Sequence, residues 1–176
     1  MGIEGEAAIK MELEKLGWIV TSLNTSGNEP NVDLIAQKYD HTIYLQVKTY
    51  NDYGWISGGG VNPEICAGGS LFNKANNARY KCDFVICLTP ASPGDKRVIR
   101  DDWRYFVMPV NTADQLFHIN INAYFNSPKR DGSPKVKRGA CQDWVGPGPI
   151  PTSIVPDHKQ DYLPFENNFE LLESSL

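Results

Sequence analysis

Val32-Asp33-Leu34-Ile35-Ala36, followed six residues on by Thr42-Ile43-Tyr44-Leu45-Gln46-Val47-Lys48-Thr49, is the stretch on which the fold turns. The first run is short, apolar and β-prone apart from one carboxylate. The second alternates, with Ile43, Leu45, Val47 and Thr49 on one side and Tyr44, Gln46, Lys48 and Tyr50 on the other. A period of two marks a strand with one face in a core. Asp40-His41 between the runs reads as a turn, so the pair is expected to form a hairpin. Gln46 and Lys48 then project the same way, roughly 7 Å apart.

Upstream, Ile9, Leu13 and Leu16 recur at helical spacing and Gly17 stops the run, which predicts an amphipathic helix over 5–17. Trp18 to Thr21 reads as a strand. The polar stretch Asn24 to Asn31, with Gly27 and Pro30, reads as a loop. Downstream, the glycines between 51 and 72 predict a long loop. A helix is expected over 73–80, a buried strand over 83–88, and strands near 97–100 and 104–110. A second helix is expected over 112–125, with Leu116, Ile119 and Ala123 inward.

After Ser127 the composition changes. Lys129, Arg130, Lys135, Lys137 and Arg138 make a basic run, Gly146 to Pro151 is rich in proline and glycine, and Glu166 to Leu176 is acidic. The expected organisation is one domain over 1–126 with an extension, 127–176, packing on it. The basic run is an ordinary solvated surface or a grip on a phosphate backbone.

The chain of 176 residues has 41% hydrophobic and 22% charged residues, which fits one globular domain and excludes wholesale disorder. A net charge of −4 argues against a protein that coats nucleic acid, but not against an enzyme that gathers carboxylates around a cation. Cys66, Cys82, Cys87 and Cys141 contain no CxxC pair and have no histidine at zinc spacing, so they read as reduced residues packed inside. With no apolar signal core and no run of membrane-spanning length, the expected compartment is the cytoplasm. Met1-Gly2 is followed by Glu6 where a myristoylation signal has serine or threonine. Gly58-Gly59-Gly60 lacks the Gly-Lys-Ser/Thr of a phosphate-binding loop, and His41, His118 and His158 form no metal or triad spacing. Tyr50, Tyr53 and Trp55 stack on bases or pack the sheet edge.

Four polar residues carry the chemistry. Glu6 lies within one turn of Ile9 and close to the direction of Leu13 and Leu16 on the helical wheel, and an acid on a core stripe costs several kcal/mol unless something compensates it. Singly, each has an ordinary reading: Glu6 as a first-turn acid favoured by the helix dipole, Asp33 as a turn cap, Gln46 and Lys48 as a solvent face. Together, Gly5-Glu6, Gly17-Trp18, Asp33-Leu34-Ile35-Ala36 and Gln46-Val47-Lys48 resemble the PD-(D/E)XK nuclease superfamily. The likeness is greatest to archaeal-type Holliday-junction resolvases and Mrr-like restriction enzymes. It covers 2–50 well and 51–125 only as an order of elements. Val32 stands where proline is usual, and Gln46 replaces the more frequent acid, as in the QxK branch.

The resemblance implies an α/β restriction-endonuclease-like core, a mixed sheet of four or five strands flanked by helices in the order α-β-β-β-α-β. It implies a Mg²⁺-dependent DNA endonuclease, with Mn²⁺ able to substitute, that leaves 5′-phosphate and 3′-hydroxyl ends and acts as a homodimer. Asp33, Gln46, the Val47 carbonyl and Glu6 would hold the ion, and Lys48 would orient water and stabilise the transition state. The other readings open on sequence are a silent nuclease fold that binds nucleic acid or protein, and an RNA-directed nuclease.

Overall fold

A computed structural model describes residues 2–23, 31–61, 70–73, 80–94, 101–136, 138–150 and 157–174. Helix α1, Gly2–Lys15, leads into β1, Ile19–Ser22, then β2, Leu34–Lys38, and β3, His41–Thr49. Strands β4 (Trp55–Val61), β5 (Phe84–Pro90) and β6 (Trp103–Pro109) follow, then helix α2, Val110–Asn126, and β7, Arg138–Trp144. Two short 3-10 turns, Lys159–Asp161 and Leu163–Phe165, precede a last turn of helix, α3, Glu170–Glu173.

The main sheet runs β1-β2-β3-β5-β6. All neighbours are antiparallel except β3 and β5, which lie parallel with Gln46 opposite Val85 and Lys48 opposite Cys87. The expected hairpin is present: Leu34 faces Leu45 and Lys38 faces His41. Alternation divides the core into two layers. Leu34, Ala36, Ile43, Leu45, Val47, Ile86 and Leu88 pack under Ile9 and Leu13 of α1. Val85, Cys87, Phe106 and Met108 pack on the other side with Ala113, Phe117 and Ile121 of α2. Gln46 and Lys48 share this second face, because they alternate with Leu45 and Val47.

Leu16 is not part of the inward stripe of α1 and is 43% exposed. The helix ends one residue earlier, in a motif in which Gly17 takes φ +85°, Gly17 N–H donates to Glu14 C=O, and Trp18 N–H donates to Leu13 C=O. That left-handed turn swings Leu16 outward and brings Trp18 back over Leu13. In α2 the buried residues are Ala113, Phe117, Asn120 and Ile121, whereas Ile119 is exposed. The inward face is thus rotated from the expected one, because a polar residue, Asn120, occupies part of it.

The glycine-rich stretch differs most from expectation. Residues 55–61 are not loop but a strand, β4, paired antiparallel with β7 as a two-stranded ribbon. A Cβ on Gly58 would stand 2.6 Å from Leu71 Cδ2 and 3.2 Å from Phe117 Cδ1. Its glycine lets the ribbon press against α2. Shifts in register between Ser57 and Gly59, and between Gly59 and Val61, place bulges in the glycine run. Residues 127–176 supply β7, the fully buried Tyr162 and the fully buried Leu172. The expected helix at 73–80 and strand at 97–100 fall mainly outside the described residues.

Candidate active site

The site is built where β2 leaves β3. Pairing of the two strands stops at Leu34 opposite Leu45, yet β3 continues to Thr49 beside β5. Val47 N–H, which would otherwise lose its ladder partner, donates to Asp33 Oδ2 at 2.7 Å. Asp33 N–H in turn donates to Leu45 C=O at 2.8 Å, and Leu23 N–H donates to Asp33 C=O at 2.9 Å. A carboxylate therefore stands in the plane of the sheet in place of a backbone carbonyl. In an extended strand the N–H and C=O of one residue point the same way, so the Val47 carbonyl also faces this gap.

Gln46 and Lys48 flank Val47 on the α2 side. Gln46 is buried, at 6% exposed, and its Oε1 is a buried acceptor with no hydrogen-bond partner among the described residues. Such an atom costs roughly 1–3 kcal/mol unless a further group engages it. Lys48 is half-buried above Cys87 and Cys82. Burial pushes both thiols up to about 12, so they remain neutral beside the ammonium. With Cys141 they are buried and free, while Cys66 lies outside the described residues.

Glu6 comes from the opposite layer. The helix begins at Gly2, which puts Glu4 in the first turn and Glu6 at the start of the second, 8% exposed. A Cβ on Gly5 would lie 1.8 Å from Thr49 Oγ1, so only glycine lets this turn rest on the end of β3. Glu6 Oε2 accepts from Ser22 Oγ at 3.5 Å, and the carboxylate lines a hollow of about 190 Å³ with Lys10, Ser22 and Leu34. The structure thus joins Asp33 to Val47, sets Gln46 and Lys48 beside them, and holds Glu6 over the same end of the sheet from the α1 side.

Among the described residues, no three His, Cys, Asp or Glu side chains group to hold an ion. The donors at this gap are the Asp33 carboxylate, the Gln46 amide oxygen and the Val47 carbonyl, with the Glu6 carboxylate on the α1 side; all are hard oxygens, which suit Mg²⁺ or Ca²⁺ rather than a zinc site. The basic residues stand elsewhere. Lys129 and Arg130 occupy an exposed turn after α2, and Lys135 Nζ donates to Tyr124 C=O at 3.2 Å while lying 4.4 Å from the Tyr124 ring. Arg138 starts β7, and Lys137 is outside the described residues.

Sequence reading missed Ser22 and Gln142. Gln142 of β7 donates to the Tyr50 hydroxyl at the end of the Gln46-Lys48-Tyr50 row. Only the row itself was visible in the sequence, since nothing in a linear reading pairs residue 50 with residue 142.

No family model matches the chain. A UPF0102 protein of Synechococcus sp. (strain JA-3-3Ab) is 27% identical over 106 residues, 56% of this chain and 81% of that one. Among solved structures, a bacterial homing endonuclease, I-Ssp6803I, matches with a TM-score of 0.52 at 12% identity, over 99% of this chain and 91% of the other. At that identity the likeness is one of fold. A mixed sheet between helical layers is the architecture the two proteins share.

Proposed function

We propose, starting from a chain with the restriction-endonuclease-like fold of the PD-(D/E)XK superfamily, that this protein is a metal-dependent DNA endonuclease. One observation carries the reading: Asp33 holds the open edge of β3 at Val47, directly beside the partnerless Gln46 Oε1. A buried amide oxygen aimed at nothing, next to a carboxylate and a carbonyl, is the signature of a donor set awaiting a cation.

Asp33, Gln46 Oε1, the Val47 carbonyl and Glu6 would hold Mg²⁺, or Mn²⁺ in its place. When bound, the ion neutralises phosphate charge and acidifies a water. Lys48, on the same face as Gln46, positions the attacking water and stabilises negative charge developing on the phosphoryl oxygens. In-line attack leaves 5′-phosphate and 3′-hydroxyl ends. Cutting both strands of a duplex calls for two copies of the chain, and Lys129, Arg130, Lys135, Lys137 and Arg138 are the backbone-gripping candidates. Residues 1–126 hold every proposed ligand. No described helix is long and apolar enough to cross a membrane.

Asp33→Ala and Lys48→Ala test this. Each should lower Mg²⁺-dependent nicking of plasmid or branched DNA by about 10²–10³-fold or more, as expected when a charge-stabilising group is removed from the transition state. Both variants should keep the wild-type circular dichroism spectrum. A wild-type protein inert on DNA and RNA with either ion would instead mark a silent binding module.

A further inference from the structure

A cleft of about 440 Å³ opens beyond the carboxyl ends of β3 and β5, lined by Tyr53, Ala91, Arg104, Gly148, Lys159 and Gln160 among others. Crevices outside the carboxyl ends of parallel strands are where α/β sheets commonly receive ligands. The cleft lies on the layer that carries Lys48. Arg104 alternates with Tyr105 and shares its face with Phe106 and Met108, which pack with Cys87 on the α2 side.

Its walls are held by backbone rather than by mobile side chains. Val145 N–H donates to Gly54 C=O at 2.8 Å, and Gly54 and Gly146 meet so closely that a Cβ on either would lie within 2.7 Å of the Trp144 ring. Gly54 also takes φ +77°. Arg104 is locked to Glu166 through Nε at 2.6 Å and Nη2 at 3.0 Å, and to Val145 C=O through Nη1 at 2.9 Å. That pairing neutralises the arginine. Lys159 is paired more loosely: its Nζ donates to Gly148 C=O and forms a long ion pair with Asp157 at 3.9 Å. An ammonium has three donors, so capacity remains for an anion. Tyr53, half-buried, adds an aromatic ring.

One cation, one aromatic ring and a preformed polar wall match a nucleotide: phosphate to the ammonium, base to the ring. The cleft is within reach of a substrate strand continuing from the site: Ala91 on its wall follows Cys87, the partner of Lys48, by four residues. That is roughly 13 Å along the strand, and the sideways step from β3 to Arg104 on β6 adds to it.

We propose that this cleft binds one nucleotide of the substrate strand several positions from the scissile phosphate, its backbone on Lys159 and its base on Tyr53. The proposal rests on the nuclease reading above. It is tested on the full chain with fluorescein-labelled single-stranded and duplex oligonucleotides in Ca²⁺, titrated from low to high KCl. Lys159→Gln should weaken binding about 3- to 10-fold and reduce the salt slope by about one. Tyr53→Leu should weaken it about 5-fold or more with the slope unchanged, the effect of losing one stacked base. As the oligonucleotides are shortened stepwise, wild type and Tyr53→Leu should converge in affinity once the strand is too short to reach the cleft. Should wild type bind while Tyr53→Leu matches it at every length, the cleft is not a subsite, even where Lys159→Gln fails to fold. A wild-type chain that binds no nucleic acid would overturn the cleft and the nuclease reading together.

Discussion

Two aspartates, Asp143 and Asp33, reach inward from the sheets of this protein, and their surroundings could hardly differ more. Asp143 of β7 is 1% exposed and fully partnered: Asn120 Nδ2 donates to Oδ1 at 2.5 Å, the Tyr162 hydroxyl donates to Oδ2 at 2.5 Å, and His158 Nε2 lies 3.3 Å from Oδ1. Those partners come from α2 and from the chain after residue 157, so the network ties the C-terminal segment to the core. Burial, then the charge of Asp143, hold the Tyr162 hydroxyl well above its ordinary value, which keeps it a donor. At the β2–β3 gap, by contrast, Asp33 is joined by an amide oxygen that nothing in the described chain engages. A satisfied polar network fixes a structure; an unsatisfied one beside a sheet opening marks a place for something else.

The comparison breaks most readily at the two aspartates themselves. Asp143→Ala should cost about 3–5 kcal/mol of unfolding free energy in urea, because it strands Tyr162 and Asn120 without their acceptor and removes the charge beside His158. Asp33→Ala should cost less, on the order of 1–2 kcal/mol, the Val47 hydrogen bond being part of what is lost, and should act mainly on catalysis. Equal losses in the two variants would remove the distinction.

A finer test sets the two amides against each other. Asn120→Leu should lose about 2 kcal/mol, since it removes the donor to both Asp143 and the Gln142 carbonyl. Gln46→Leu should be neutral or stabilising by about 1 kcal/mol in the absence of metal, because an unmet polar atom is replaced by methyl groups of similar volume, and it should abolish binding of Mn²⁺ in calorimetry. Gln46→Glu should bind Mg²⁺ or Mn²⁺ as tightly as wild type or more so, a carboxylate replacing a dipole. Weaker binding by Gln46→Glu, with normal binding by Asp33→Ala, would remove Gln46 from the ion.

The smallest effect is in pH. Burial pushes His158 down, but the contact with Asp143 and the charges of Asp161 and Asp157 outweigh it, leaving the imidazole above its ordinary value. A group raised in the folded state contributes stability that is complete below its unfolded value, about 6.5, and is lost as pH rises through the folded one. The Tm difference between wild type and His158→Gln should therefore shrink from pH 5.5 to pH 8.5. Parallel pH profiles would show that the histidine is not coupled to Asp143.

Some of this was open to a linear reading and some was not. The period of two in Thr42–Thr49 and the helical spacing of Ile9 and Leu13 gave strand and helix, because local alternation reports which side is buried. The inward direction of Glu6 was likewise readable from a helical wheel. Leu16 and Ile119 were misplaced, since a left-handed cap and a buried Asn120 rotate the inward face by amounts periodicity does not encode. The ribbon was misread as loop because glycine usually signals turns; here Gly58 serves a close approach to Leu71 and Phe117 that lies far off in the chain.

What the sequence determined by itself is the local grammar: the α1–β1–β2–β3 order, the acid on the helix, the polar pair on one strand. Tertiary structure alone decided that β2 leaves β3 at Leu34, so that Asp33 caps Val47 and an opening forms beside Gln46. It also decided that β7 closes a ribbon with β4, and that Asp143 finds its partners 15 to 23 residues away in either direction. The physical reason is range. Periodicity is set by the backbone geometry of a few neighbouring residues, whereas the partnering of a buried polar atom depends on which distant segments the whole core brings against it.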